Sequence, residues 1–410
     1  MGQGRARPDN CQREHPSRRR LGWLVAAIPL ALAACGPAST SVAGTSSSGS
    51  SSTASSSTAC GSKANLGPSI GTAGTASVYT TVGPSGEVPV QASSISLTSA
   101  QIAQLQAGNY TAAMVWHESA TFTSAVTAGA QAEFSQLGIK VVSVTQANFD
   151  AATQVNQLQT VEAEKPSVIL SLPVDAVSEA SAYAAVSGQG SKLILLSNVP
   201  TDLSWPTQYQ GMVTDDLAAM GKQGAELIGA AMHGKGDLGF IYYDANYYVT
   251  NERDAAFRSW LGCLYPNIHI VDQVGMADQS TAQTVTTAML LKYPNITGIY
   301  APYSETPAEG VIGGLRSLGK TGVTVVTDDL DPSIDTNLAS GGYLAGVVAD
   351  QPYAIGETMA EEAGLAILGQ SSPKFAVVPA LAVTKSNILG AWQTTLDQTP
   401  PPNIELAFGG

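Results

Sequence analysis

From about residue 110 the chain alternates between short apolar runs and longer segments in which apolar residues recur every three or four positions. The short runs are typical of buried parallel strands, and the longer segments are typical of helices packed on a sheet. The predicted strands are 112–116, 139–144, 168–172, 192–197, 238–243, 268–274, 297–301, 323–327 and 345–349. The predicted helices include 123–137, 151–164, 216–232, 279–292, 306–318 and 353–368. This alternation predicts an α/β fold with parallel sheets covered by helices on both faces.

The number of strand–helix units indicates two domains. So many strands exceed what one sheet of ordinary size holds, and roughly 280 residues reach the upper limit for a single hydrophobic core. The flanks differ in composition. Residues 63–109 are rich in Gly, Ser, Thr and Pro and predict an N-terminal extension packed loosely against the domains, whereas 391–410 predict a C-terminal tail.

The N-terminus has the pattern of a secretion signal. A basic region precedes the apolar run Leu21–Leu32, which is too short to span a bilayer as a stable anchor, so residues 1–34 predict a signal peptide. The following Leu32-Ala33-Ala34-Cys35 resembles the lipobox of bacterial lipoproteins, and that resemblance implies lipidation of Cys35. An ordinary signal peptide that happens to contain a cysteine is the alternative. Residues 35–62 then predict a lipidated cysteine followed by a flexible Ser/Gly-rich linker.

The charge balance excludes nucleic acid as a partner. The formal net charge is −13, and cleavage before Cys35 would take it to −17 because the leader carries six Arg but only one Asp and one Glu. A chain this acidic repels nucleic acid and anionic lipid, so contact with the membrane is expected through the lipid anchor only. Cys60 and Cys263 either pair in an oxidising compartment or remain independent thiols.

Several segments together resemble the type I periplasmic binding proteins of the ribose-binding kind, which are receptors of sugar ABC importers. The resemblance covers roughly residues 110–385. It is carried, in order, by "ATFTSAVTAGAQAEFSQLGIKVV" (120–142), "KPSVILSLPVDA" (165–176), "KLILLSNVP" (192–200), "VTDDLAAMGKQGAELI" (213–228), "VTNERDAAF" (249–257), "VVTDDLDPS" (325–333) and "VVADQPYAIGETMA" (347–360). It implies two doubly wound lobes joined by a hinge of three crossovers. Lobe one would be 110–213 plus 351–376 and lobe two 214–350 plus 377–390.

The resemblance also implies a function. A monomeric lipoprotein on the outer face of the bacterial cytoplasmic membrane, or in the periplasm, would capture a sugar or polyol between its lobes. It would then deliver this ligand to an ABC transporter permease, with no cofactor and no catalysis. Receptors of the same architecture for signalling, for an amino acid or for an amine-bearing ligand remain alternatives.

Some ligand-binding residues transfer from the family by position. Phe122 lies where the family has an aromatic residue, and Asp329 matches the Asp that binds sugar hydroxyls. At Asn198, Asn251 and Asp350 the family has other polar residues, among them two arginines. The loss of both arginines beside retained carboxylates predicts a neutral polyhydroxylated ligand or one that bears an amine.

Other candidates follow from strand ends, where ligands bind in open α/β sheets. The cluster Trp116, His117 and Glu118 ends the first strand, and aromatic residues follow the later ones; the candidates from those later strand ends are Tyr243, Tyr247, Tyr303, Ser304 and Glu305, with Trp205 as a further stacking surface. Each of these residues has a structural alternative as a cap, a turn residue or a packing residue. Arg253 predicts an ion pair within its own lobe rather than a ligand contact.

An enzyme is the remote alternative, as a hydrolase that uses His117. Adjacent residues on an extended strand point to opposite faces, so His117 and Glu118 are not expected to form a dyad. The one Gly-x-Ser-x-Gly match, at 67–71, lies in the Gly/Ser-rich N-terminal extension and not after a predicted strand, and the histidines are too scattered for a predicted metal site.

Overall fold

The computed structural model of the protein describes residues 80–410. The predicted signal peptide, Cys35, the linker and Cys60 lie outside the described residues. Cys263 is disulfide-bonded, and it is the one cysteine within residues 80–410. Its partner therefore lies outside the described residues, as does Cys60. Strands and helices are numbered below in chain order.

The first lobe is built on a seven-stranded sheet in which every pair is parallel. Its strands are β1 (Val90–Gln91), β2 (Thr111–Trp116), β3 (Lys140–Gln146), β4 (Val168–Ser171), β5 (Lys192–Leu196), β6 (Gly211–Asp215) and β12 (Ala376–Val378). The spatial order is β1-β12-β6-β5-β4-β2-β3. Its helices are α1 (Ser99–Gln106), α2 (Thr121–Leu137), α3 (Ala151–Ala163), α4 (Ala180–Gln189) and α10 (Pro352–Ile367). The inner strands are apolar at consecutive positions because helices cover both faces.

The second lobe is built on a six-stranded sheet with the order β13-β11-β10-β9-β7-β8, and only β13 is antiparallel. Its strands are β7 (Lys235–Tyr243), β8 (Asn267–Met276), β9 (Ile296–Tyr300), β10 (Thr324–Asp328), β11 (Leu344–Ala349) and β13 (Leu381–Val383). Its helices are α5 (Leu217–Ala231), α6 (Tyr248–Leu264), α7 (Ala282–Lys292), α8 (Glu309–Ser317), α9 (Pro332–Ser340), α11 (Ile388–Leu396) and α12 (Pro402–Gly409). A short π-helical turn, Ser304–Ala308, precedes α8.

The chain passes between the two sheets three times, after β6, after β11 and after β12. These crossovers lie at Asp216, at 350–351 and at 379–380. Each lies within three residues of a lobe boundary predicted from the resemblance, at 213/214, 350/351 or 376/377. The backbone N–H of Gln351 donates to Asp215 Oδ1 at 3.1 Å, which joins two of the crossovers. The predicted fold class, two doubly wound parallel-sheet lobes, is confirmed.

The N-terminal residues differ from the predicted loose extension. We call residues 80–91 the N-terminal strap, because this segment contacts both lobes beside the crossovers. At one end β1 adds a strand to the first sheet beside β12. At the other, Thr81 Oγ1 donates to Asp216 Oδ1 at 2.6 Å and accepts from Ala218 N at 2.8 Å, which caps α5 of the second lobe. Tyr248 of α6 donates to the carbonyl of Val82.

The C-terminal residues also differ from the predicted tail. Helices α11 and α12 pack into the core of the second lobe, where Trp392 is 1% and Ile404 0% exposed. Trp392 Nε1 donates to the buried Asp335 Oδ2 at 3.0 Å. The apolar spacing Ile388, Trp392 and Leu396 is helical, so the sequence carried a signal for this packing.

Candidate ligand-binding cleft

The site lies where both sheets reverse their strand order. The chain runs from β2 outward to β3 and returns to β4 on the other side of β2, and β7, β8 and β9 repeat this pattern in the second lobe. Ligands of doubly wound folds bind beyond the carboxyl ends of strands at such points. Here the strand ends of both lobes meet at one cavity of about 60 Å³, several times the space that one water molecule needs.

Residues from both lobes line this cavity. The first lobe and the crossovers contribute His117, Glu118, Phe122, Phe149, Leu172, Ser197, Asp215 and Asp350. The second lobe contributes Tyr243, Tyr247, Val249, Thr250, Arg253, Tyr303, Ser304, Glu305, Asp329 and Leu330. A polar recess that shares Glu118, Phe149 and Glu305 with the cavity forms its mouth.

His117 and Glu118 form a pair, contrary to the expectation from strand geometry. His117 Nε2 lies 3.1 Å from Glu118 Oε1, and both side chains line the cavity. The expectation was wrong because β2 ends at Trp116, so the alternation of a strand no longer applies to the next two residues. His117 Nδ1 is buried without a hydrogen-bond partner among the described residues.

Aromatic rings from the two lobes make a continuous wall. Phe149, which follows β3, lies 6.1 Å from Tyr243 and 6.5 Å from Tyr247 between ring centroids. Tyr243 meets the rings of Tyr247 and Tyr303 edge-on at 5.7 and 6.2 Å. The hydroxyl groups of Tyr247 and Tyr303 are buried without a partner among residues 80–410. Such a wall offers ring faces to the C–H side of a ligand and hydroxyl groups to its polar atoms.

Arg253 holds the acidic floor of the cavity together. Its Nε lies 3.3 Å from Asp328 Oδ2 and its Nη1 3.3 Å from Asp329 Oδ1. Its Nη2 donates to the carbonyl of Pro302. The predicted ion pair within the lobe is present, and Arg253 also lines the cavity, so the expected absence of an arginine from the cleft was wrong.

Burial raises the pKa of two carboxyl groups at the floor of the cavity. For Asp329 the charge of Arg253 opposes this rise in pKa. For Asp350 the charges of Asp329 and Asp215 add to it, so the pKa of Asp350 lies well above its usual range and Asp350 is the protonated partner. Burial also raises the pKa of Asp215 to about 8. Asp329 has a left-handed backbone with φ 69°, a conformation that Asp tolerates better than most residues.

Thr121 of the first lobe is hydrogen-bonded to the second lobe across the mouth of the cavity. Thr121, the first residue of α2, donates its backbone N–H to Glu305 Oε1 at 3.2 Å and its hydroxyl to Asp331 Oδ2 at 2.7 Å. Asp331 also caps α9 by accepting from Ser333 N at 2.8 Å. Both acceptors belong to the second lobe, so these contacts hold the two lobes together at the mouth of the cavity.

Four predicted site residues lie elsewhere. Trp205 packs against the core of the first lobe, and its Nε1 donates to the carbonyl of Gln210 at 2.9 Å. Trp116 is fully buried in the first-lobe core, and its Nε1 donates to Thr127 Oγ1 at 2.8 Å, because β2 is central and helices cover both its faces. Asn251 donates to the carbonyl of Ala245 at 3.0 Å and does not line the cavity. Asn198 is buried next to the lining residue Ser197 and donates to the carbonyl of Pro173 at 3.2 Å.

The cavity also contains residues that the sequence reasoning missed. Phe149 and Asp215 are lining residues, although neither was a candidate. The sequence contained an indication for Asp215, because it lies at the carboxyl end of strand β6, just as Asp329 and Asp350 follow the carboxyl ends of β10 and β11. It contained one for Arg253 too, since this residue precedes the buried Phe257 by four residues and therefore shares its helix face. Phe149 lies in a loop with a left-handed backbone, which no periodicity predicts.

Residues 80–410 contain neither a candidate metal site nor a candidate membrane-spanning helix. Within that range no three or more His, Cys, Asp or Glu side chains are grouped so that they could hold a metal ion. No helix in the same range is long and apolar enough to cross a membrane.

Comparison with known families agrees with this geometry. Residues 111–371, more than half of the chain, match the family described as periplasmic binding protein domain. The chain belongs to this family. A curated relative, the D-allose-binding periplasmic protein of Escherichia coli K12, is 29% identical over 185 residues. That match spans 43% of this chain and 58% of the relative, so it covers little more than half of the relative's length.

Solved structures share the fold at lower identity. A solute-binding protein of an ABC transporter from Agrobacterium vitis, with bound alpha-D-tagatopyranose, has a TM-score of 0.63 at 21% identity, covering 68% of this chain and 96% of that one. A periplasmic solute-binding protein from Actinobacillus succinogenes, with bound D-allose, has a TM-score of 0.62 at 20% identity, covering 68% and 99%. These likenesses establish the type I periplasmic-binding-protein fold.

Proposed function

We propose that the protein captures a sugar or polyol in the cleft between its lobes and delivers it to the permease of an ABC importer. The observation that carries the proposal is the cavity itself, where strand ends of both lobes bring carboxyl groups and aromatic rings to one enclosed space. Carboxylates accept hydrogen bonds from hydroxyl groups, and ring faces pack against C–H groups. The sugars named with the related proteins above support the same class of ligand.

Hinge closure is the proposed mechanism. A ligand that contacts both lobes at once binds the closed form more tightly than the open form, and it shifts the equilibrium by that difference in affinity. Thr121 supports this mechanism because its contacts with Glu305 and Asp331 exist only when the lobes approach each other. The permease would then recognise the closed surface.

The polar groups of the cavity support binding rather than catalysis. The His117–Glu118 pair lacks an available serine nucleophile among the lining residues. Ser304 Oγ donates to the carbonyl of Asp328 at 2.7 Å, and Ser197 Oγ is hydrogen-bonded to Thr214 Oγ1 at 2.8 Å. A nucleophilic hydroxyl needs a base within hydrogen-bond reach, and both hydroxyls are engaged elsewhere.

A ligand screen tests the proposal. Pentoses, hexoses, polyols and sugar acids are compared by thermal shift and then by calorimetric titration, since a ligand that binds only the folded form raises its melting temperature. We expect at least one sugar or polyol to bind and Asp329→Asn to weaken that binding by about 1.5–3 kcal/mol, the range for a hydrogen bond to a charged group. Asp202→Asn is the matched control, because Asp202 is exposed and has a similar backbone, φ 64°. Binding of sugar acids alone, or full affinity in Asp329→Asn, would refute the proposal.

We further propose that the mature protein is held outside the cell by a lipid on Cys35. The short apolar leader, the small residues before Cys35 and the Ser/Gly-rich linker after it support this localisation. In a bacterial host, the protein should fractionate with membranes and release into the soluble fraction when Cys35 is changed to Ala. Equal distribution of the two forms would exclude the anchor.

A further inference from the structure

The cavity holds an unusual excess of acidic groups. Among its described lining residues are five carboxyl groups and one guanidinium; the carboxyl groups belong to Glu118, Asp215, Glu305, Asp329 and Asp350. The guanidinium of Arg253 is already committed to Asp328, Asp329 and the carbonyl of Pro302. Burial raises the pKa of each of the three aspartates at the floor of the cavity, Asp215, Asp329 and Asp350. Glu118 and Glu305 are therefore left without a lysine or arginine among the described lining residues; Glu118 has only the imidazole of His117 beside it, and Glu305 only the backbone N–H of Thr121.

These two glutamates approach the cavity from opposite lobes. Glu118 follows β2 in the first lobe, and Glu305 lies in the π-helical turn after β9 in the second. Both line the cavity and its mouth. Burial, and after it the charge of Glu118, raises the pKa of Glu305 to about 8. Without a cation nearby Glu305 therefore keeps its proton near pH 7, and a positive group between the two carboxyl groups would favour ionisation of both.

The surroundings of the two glutamates suit an organic cation. Tyr243, Tyr247 and Tyr303 face the same space, and the charge of Glu118 acts on all three. Ring faces attract a cation within about 6 Å of their centroids, most strongly where water is excluded. Tyr247 and Tyr303, which are 5% and 8% exposed, have hydroxyl groups with no partner among the described residues. These hydroxyl groups lie at the cavity, where a ligand would be their partner.

We propose that the natural ligand carries a protonated amino group, as in an amino sugar or an amino-substituted polyol, and that Glu118 and Glu305 bind this group between the lobes. The inference rests on the proposed function and narrows its class of ligand. An ammonium between the two carboxylates compensates both charges and donates hydrogen bonds to oxygens of each lobe. Hydroxyl groups of the same ligand would bind Asp329 and the tyrosine hydroxyls.

The test compares amino sugars with their matched neutral forms. Amino-deoxy hexoses with the amine at carbon 2, 3 or 6, the parent hexoses and the N-acetylated forms are titrated calorimetrically at pH 6.5. We expect at least one amino hexose to bind tenfold or more tightly than both its parent and its N-acetyl derivative. If no amino hexose exceeds its parent, the inference is overturned while the proposed function stands. If no sugar of any kind binds, the proposed function fails as well.

Variants assign the preference to the two glutamates. Glu118→Gln and Glu305→Gln keep the size of the side chain and remove its charge, so each should reduce the ratio of amino-sugar affinity to parent-sugar affinity at least fivefold. Glu309→Gln is the matched control, since Glu309 is exposed in the first turn of α8, four residues after Glu305. An unchanged ratio in both cavity variants would place the amine elsewhere and overturn the assignment. Circular dichroism of each variant verifies that it is folded.

Discussion

Both lobes bury carboxyl groups, but they stabilise them in different ways. In the second lobe Asp328 and Asp329 surround Arg253, and the hydroxyl oxygen of Tyr300 lies within hydrogen-bond distance of carboxyl oxygens of Asp254 and Asp328, at 2.9 and 2.7 Å. In the first lobe, Glu179 and Glu362 are 0% exposed, and neither of their carboxyl groups has a hydrogen-bond partner among residues 80–410.

The two lobes therefore differ in what compensates the charge of their buried carboxyl groups. An ionised carboxylate is stable in a protein interior only when a cation or several hydrogen bonds compensate it, and otherwise it takes up a proton. Burial accordingly raises the pKa of Glu179 to about 8 and that of Glu362 well above its usual range. The acids buried inside the first lobe are thus neutral near pH 7, whereas in the second lobe the charge of Arg253 opposes the effect of burial and the pKa of Asp328 rises only to about 7.

Removal of Arg253 should have the largest effect. Arg253→Met leaves Asp328 and Asp329 buried without their cation, and breaking a buried pair costs about 3–5 kcal/mol of unfolding free energy. The deficit should be greater at pH 8 than at pH 5, because protonation of the two aspartates relieves it. Urea unfolding at both pH values measures the effect. Arg316→Met, at an exposed position in the last turn of α8, should change stability by less than about 0.5 kcal/mol.

An Arg253→Met protein as stable as the wild type would break the comparison. It would mean that protons rather than Arg253 neutralise the acids of the second lobe, as they do in the first.

Removal of a buried first-lobe carboxyl group should change the free energy of unfolding by less, and should raise it rather than lower it. Glu362 packs so closely on the backbone of β6 that a Cβ added at Gly211 would lie 2.0 Å from its Oε2. Its pKa is raised in the folded state, so the unfolded chain loses the proton first and stability falls as pH rises above about 4.5. Glu362→Met should therefore gain about 1–3 kcal/mol at pH 8, the range for an unsatisfied buried polar group, and less at pH 4.5.

The measurement is urea unfolding between pH 4.5 and 8. Glu164→Met, at an exposed position after α3, is the control and should show no such growth with pH. A Glu362→Met gain that does not increase with pH would show that Glu362 is compensated in the folded protein, and the contrast between the lobes would be lost.

The sequence predicted the fold better than the site. Long buried strands and periodic helices were evident, but β12 and β13 are three residues each and escape any periodicity. For the site, the resemblance to the family placed Asp329 and Asp350 at the cleft, and both line the cavity. Asn251 was preferred to Arg253 because it occupies the position of an arginine in that family, but two residues along a helix point to nearly opposite sides, and Arg253 rather than Asn251 lines the cavity.

Contacts between distant segments were beyond sequence reasoning. Phe149 meets Tyr243 although they are almost a hundred residues apart, and nothing local to either residue indicates this. The pairing of Thr121 with Glu305 and Asp331 likewise depends on how the lobes approach, which is a property of the three crossovers together.

The N-terminal strap has a mechanical consequence for a tethered molecule. Its partners Asp216 and β12 lie beside the crossovers, near the axis about which the lobes would turn. Atoms close to a rotation axis are displaced least, so the N-terminal strap can keep its contacts with both lobes while the mouth of the cavity opens. The described part of the chain therefore begins where displacement during lobe rotation is smallest. A linker attached there would experience little tension when ligand binds or dissociates.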